Sequence, residues 1–146
     1  MEAKLLNEVG EQTYALIFKS GDEVMSTLTQ FAKDHSLTAS HFTAIGAFRD
    51  VTLGYFDWAT KDYKKIPVNE QVEVLSLVGD IALQDRGEPK IHAHVVVGTA
   101  DGTARGGHLL EAHVRPTLEL ILTETPNYLR RKYDQQTGLA LIEIAA

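Results

Sequence analysis

No cysteine occurs among the 146 residues, which excludes disulfides, thiolate metal sites and a cysteine nucleophile and leaves histidine and carboxylate as the strong metal ligands. Long apolar runs are missing too. The opening residues MEAKLLNEVGEQ mix charges with apolar side chains, and nothing approaches the roughly 18 apolar residues a membrane-spanning helix needs. The expectation is a soluble, cytoplasmic protein without a membrane partner. Basic charge is in deficit: 14 Lys and Arg face 20 Asp and Glu, for a net charge of −6. Duplex binding draws most of its affinity from phosphate neutralisation, so this balance argues against nucleic acid. The two basic clusters, Arg130-Arg131-Lys132 and Lys61 with Lys64 and Lys65, read as solvated faces. A dinucleotide fingerprint, a phosphate-cradling loop and Ser-His-Asp spacing are all absent, because GDEVMST and ARGGH lack the required contexts. No repeat, low-complexity tract or linker divides the chain, so residues 1–146 are expected to form one domain around one core.

What is present is mostly strand pattern, with one helix near the start. TYALIFK, from Thr13 to Lys19, is apolar and β-prone. Ser20 and Glu23 then match a capping box, and Val24, Leu28, Phe31 and Ala32 recur at helical spacing, predicting a helix from Asp22 to about His35 with one apolar face. Short β-rich runs follow at 40–48, 51–57, 63–66, 70–83, 91–98, 105–114 and 117–123, separated by turn residues at Gly46, Asn69, Arg86-Gly87-Glu88-Pro89 and Asp101-Gly102. Their close spacing leaves little room for crossover helices and predicts antiparallel pairing. A helical turn is expected over 127–136, with a last strand at 139–144. The class is therefore α/β of the α+β type, a mainly antiparallel sheet flanked by one principal helix.

Four of the six histidines fall within IHAHVVVGTADGTARGGHLLEAHV, residues 91–114. On a strand, His92 and His94 point to one face and can share an ion. His108 joins them only in one register. A two-residue turn at Asp101-Gly102 sets it opposite Val95, facing away. A three-residue loop, or a bulge at Gly106-Gly107, is expected to shift the pairing by one and put it opposite Val96, diagonal to His94. The alternative is ordinary half-buried strand histidines. His113 is a weaker candidate on the opposite face, and His35 and His41 read as structural or solvent-facing. Three neutral imidazoles suit Zn²⁺ above all, with Ni²⁺, Fe²⁺ or Cu²⁺ as alternatives, and leave a coordination position open. Glu73 and Glu119, each inside an apolar strand, are the candidates for a general base, a fourth ligand or a supporting carboxylate.

The segments VEVLSLVGDIAL, HAHVVVGTADGTARGGHLLEAHVRPTLELILTE, AIGAFRDVTLGYFD and LRRKYDQQTGLALIEI resemble the plant and prokaryote conserved (PPC) domain, over about Tyr14 to Ile144. The most specific part is H-x-H, then D-G, then G-G-H-L. Members of that family often carry the label "putative DNA-binding protein". The resemblance implies an antiparallel sheet with a flanking helix, assembly as a homotrimer, and a metal site on His92, His94 and His108. In plant relatives the DNA contact comes from a separate AT-hook of R-G-R-P type, which these residues do not contain, so direct DNA binding is not expected. Two functions stand open. One is a trimeric regulatory or assembly module that binds a protein or small ligand. The other is a metal-dependent enzyme whose ion activates water or polarises a substrate, with Glu73 or Glu119 as base and Arg49, Tyr55 or Tyr63 lining the pocket.

Overall fold

A computed structural model describes residues 1–7, 10–127 and 129–144, with the backbone alone for 3–7. Strand β1 (Glu2–Asn7) lies beside β2 (Gln12–Lys19), whose alternation buries Tyr14, Leu16 and Phe18. Helix α1 (Val24–Asp34) buries Val24, Leu28, Phe31 and Ala32, the stripe its spacing predicts. Its start differs from the expected one. The Gly21 N–H bonds to the Val114 carbonyl and the Val114 N–H to the Asp22 carbonyl, both at 3.0 Å, so the chain stays extended against the sheet past Ser20. Glu23 becomes the cap, accepting from the N–H groups of Met25 and Ser26 at 3.0 and 2.6 Å, while the Ser20 hydroxyl donates to the Pro116 carbonyl.

The remaining strands are β3 (Ala39–Asp57), β4 (Asp62–Val68), β5 (Val72–Leu83), β6 (Pro89–Gly98), β7 (Ala104–Glu124), β8 (Arg130–Asp134) and β9 (Leu139–Glu143). Pairing is antiparallel as expected, apart from a parallel bridge between Leu83 and Arg130. β3 bonds to β5, β5 to β6, β6 to β7 and β7 back to β3, so four strands form a ring around the apolar core. Two expected pairs of short strands are in fact two long bent ones. Gly46, read as a turn, lies within β3 at a register shift, and a Cβ there would sit 2.3 Å from the Thr117 carbonyl oxygen. Absence of a side chain lets β7 cross close to β3 without ending either strand.

The helical turn expected over 127–136 is instead the start of a hairpin, β8 with β9, Tyr128 lying outside the described residues. The Asp134 carboxylate accepts from the N–H groups of Gln136 and Thr137, and Gly138 adopts φ +76°, which turns the chain back on itself. Pairing with LALIE outweighs the helix propensity of Arg-Arg-Lys.

Glu124 closes the far end of β7 by accepting from Thr38 N–H and hydroxyl, Ala39 N–H and the hydroxyl of buried Ser40. Glu124→Ala strands all four donors. It is expected to destabilise the protein by roughly 2–4 kcal/mol in urea unfolding, because unmade bonds of buried donors carry their full desolvation cost. An unchanged urea midpoint would show that water replaces the carboxylate.

Candidate metal centre

β6 places Ile91, Ala93, Val95 and Val97 in the core and turns His92 and His94 to the outer face. β7 supplies His108 directly opposite His94. The loop that sets this register spans Ala100, Asp101 and Gly102: the Gly102 N–H bonds to the Thr99 carbonyl, Asp101 Oδ1 accepts from Thr99 and Thr103, and Gly102 takes φ +82°. That is the three-residue hairpin with a left-handed third position. The loop length matches one of the two expected alternatives, but it moves the pairing the other way, to His94 and not Val96. Gly106 and Gly107 make no bulge against β6. A Cβ on Gly107 would lie 2.8 Å from the Gly54 carbonyl oxygen, so this glycine admits β3 close beside the histidine strand.

The three histidines converge, with one ring nitrogen from each within 4.8 Å of the others. His92 Nε2 and His94 Nε2 stand 3.2 Å apart, and the ring of His92 stacks on that of His108 at 5.2 Å. Nδ1 of His108 is buried without a hydrogen-bond partner among the described residues. Burial foremost, then the neighbouring His92, His94 and Lys90, lowers the His108 pKa to about 4. Burial and His92 lower that of His94 too. Both rings are thus held neutral, the state a metal ligand requires.

Asp80 stands opposite His92 on β5, its carboxylate 3.8 Å from His92 Nδ1 and paired with buried Arg131 of β8. Burial pushes its pKa up, but the pull of His92 and Arg131 outweighs that and holds the carboxyl below its usual range. Asp80 is the carboxylate beside the cluster, and reading the sequence missed it. The available signal was an acid within the apolar run SLVGDIAL, the same signal that singled out Glu73 and Glu119. Those two are exposed and border a separate cleft with Ile45, Leu75 and Thr117. Of the proposed pocket residues, Tyr63 stacks on His108 at 4.5 Å and lines its cavity. Tyr55 is 64% exposed and Arg49 pairs with Asp50, and neither lines that cavity. His113 bonds Asp50 at 2.7 Å, His35 stacks on Phe31, and His41 is exposed on β3, all outside the cluster.

A cavity of about 400 Å³ opens beside the cluster, walled by His92, His108, Tyr63, Lys90, Leu110 and the β8–β9 hairpin.

Fold and site together describe a β-rich domain with one covering helix and three imidazoles able to hold a metal ion on its outer face. Residues 7–126 match the Plants and Prokaryotes Conserved (PCC) domain, and the chain belongs to that family. Among solved structures, it is similar to a plant- and prokaryote-conserved protein of Pyrococcus horikoshii at 33% identity and TM-score 0.85, over 99% of this chain and 96% of that one. A metal-containing protein of Archaeoglobus fulgidus matches at 33% identity and TM-score 0.84, over 99% and 100%. A Bacteroides thetaiotaomicron protein described as a "putative DNA binding protein" matches at 25% identity and TM-score 0.86, over 97% and 96%. A curated relative, the bifunctional protein GlmU of Synechococcus sp. (strain JA-3-3Ab), is 29% identical over 136 residues, 91% of this chain. The chain spans about a fifth of the length of the curated relatives it matches.

Proposed function

We propose that this PPC-domain protein is a cytoplasmic, homotrimeric regulatory or binding module, one domain over residues 1–146, that holds a divalent metal on His92, His94 and His108. Zinc suits the site best, since it accepts three neutral imidazoles and leaves a position for a ligand. The observation that carries this reading is the convergence of three ring nitrogens from two paired strands, one ring having a buried nitrogen with no partner among the described residues. The metal-containing Archaeoglobus relative supports it.

Self-association is supported by the outer face of the sheet. Ile45, Leu75, Val78, Val96 and Ile121 are exposed there, Ile45 to 62%, and strand pairing makes them neighbours through Thr43↔Val78, Thr43↔Ile121 and Ser76↔Val96. Contiguous apolar surface of this kind is the usual mark of a protein interface. Val78 is also opposite His94, so the patch adjoins the metal cluster. DNA contact is not part of this reading, because the acidic balance opposes it.

Metal analysis of protein purified without a histidine tag, together with light-scattering mass, tests the proposal. One ion per chain and three times the chain mass are expected. Metal-free protein, or a monomer whose mass is unchanged by Val78→Lys, would refute the metal and trimer parts respectively.

A metal-dependent enzyme is the second reading, favoured by the cavity that opens onto two of the three histidines. A bound ion would supply Lewis acidity there. Asp80 would orient His92, and Tyr63 would shield His108 from water. Among the carboxylates considered, Asp80 is the one at the cluster, whereas Glu73 and Glu119 border the other cleft.

A further inference from the structure

The cavity beside the histidines has two chemically distinct walls. One is apolar: Leu110 on β7, and Leu139 and Leu141 on the β8–β9 hairpin. The other is cationic, with Lys90 at the start of β6 and Arg131 on β8. Lys90 is close enough to His108 for its ammonium to act on that ring. Arg131 is 6% exposed, with one terminal nitrogen on Asp80 and the other 3.1 Å from the Ala140 carbonyl oxygen. Its Nε is buried and has no partner among the described residues. A guanidinium in the wall of a cavity, with one of its three nitrogens unpartnered among the described residues, adds positive charge that favours an anionic ligand there. Three neutral imidazoles add no negative charge, so a divalent ion held there would leave the site cationic, with Asp80 already engaged by Arg131. The volume, about 400 Å³, suits a small organic molecule.

We infer that this cavity binds a small organic carboxylate, its anionic end toward Lys90 and Arg131 and its hydrocarbon body against Leu110, Leu139 and Leu141. The inference rests on the metal-centre reading for part of the positive charge and on the cavity walls for its selectivity. Inorganic anions satisfy the cationic wall but not the apolar one. Neutral amides satisfy the apolar wall alone.

The test is calorimetric titration of the intact, zinc-loaded protein with isovalerate, isovaleramide, acetate and phosphate, the metal content being measured on the same sample. Isovalerate is expected to bind about tenfold tighter than isovaleramide, since one partner charge is lost from charge-assisted bonds. It should also exceed acetate and phosphate, which lack the hydrocarbon body. Lys90→Met keeps the stem but not the charge, and is expected to weaken isovalerate about fivefold while leaving the metal bound. Leu110→Ala should narrow the preference for isovalerate over acetate by about threefold. Equal binding of isovalerate and isovaleramide, or of isovalerate and phosphate, overturns the inference, as does metal-loaded protein that binds no isovalerate. Isovalerate binding that depends on Lys90 in a sample that takes up no zinc would uphold the cavity assignment and refute the metal reading.

Discussion

Alanine at His108 is expected to lower metal affinity by more than about 100-fold, taking the protein from one ion per chain to a small residue after dialysis. Removing an outer-sphere partner alone commonly costs 10–100-fold, and His108 is one of only three donors in the cluster. His92→Ala and His94→Ala should behave alike, since no other group of three or more metal-ligating side chains is present among the described residues. Asp80→Asn belongs to the milder range, about 10–100-fold, because it leaves the three nitrogens in place and removes the charge that orients His92. Plasma mass spectrometry on wild type and the four variants reads the series. Stoichiometric metal surviving in His108→Ala would refute the site.

The same ring carries a pH signature in metal-free protein. Folding lowers the His108 pKa from 6.5 to about 4. Between those values the unfolded chain binds a proton that the folded one refuses, so stability is full above about pH 6.5 and falls as pH drops toward about 4. Urea midpoints measured at about pH 7 and about pH 4.5 should differ less in metal-free His108→Ala than in metal-free wild type. An unchanged difference would mean that the ring titrates normally in the folded state.

Gly79→Val is expected to damage fold and site together. Gly79 lies on β5 between Phe42 of β3 and Ala93 of β6. A Cβ there would be 2.3 Å from the Phe42 ring and 2.6 Å from the carbonyl oxygen of His92. Phe42 is buried and the carbonyl is backbone, so neither can yield without moving β3 or β6. Overpacking of this kind costs roughly 3 kcal/mol or more, a fall in Tm of about 10 °C for a chain of this size. Because the displaced carbonyl belongs to a metal-ligand candidate, metal occupancy should fall with stability. Leu16→Ala is the control: it opens a cavity in buried β2, with a loss of roughly 2–5 kcal/mol, opposite Leu120 at the end of β7 away from His108. Equal metal loss in both variants would show that occupancy merely follows global stability.

Two of the three histidines were legible because H-x-H on a strand needs only the two-residue repeat to share a face. The third depended on loop length, and the two-residue and three-residue alternatives lie one residue apart in sequence yet on opposite faces in space. Even the right loop was assigned the wrong direction of shift, since Asp101-Gly102 does not reveal that the residue added is Ala100. Asp80 was missed, and Glu73 and Glu119 preferred, for a related reason. All three are acids in apolar strands, and strand register, which sets Asp80 opposite His92, Glu73 opposite Gly98 and Glu119 opposite Ile45, decides which one meets the cluster.

Local patterns in the chain were enough for the helical stripe of α1, the alternation of β2 and β6, the antiparallel class and the identity of the candidate ligands. Each depends on the period of the backbone and on side-chain chemistry, which neighbours along the chain define. Long-range packing settled the rest. It joined 39–57 and 104–124 into single bent strands, made a hairpin of an arginine-rich segment, closed four strands into a ring and set Arg131 against Asp80 beside the histidines. Most of these outcomes depend on which residues meet across long stretches of sequence, 51 positions for Arg131 and Asp80 and 84 for Ser40 and Glu124. That is decided by excluded volume at glycines such as Gly46 and Gly79 and by the partners available to buried charge, neither of which a local window contains.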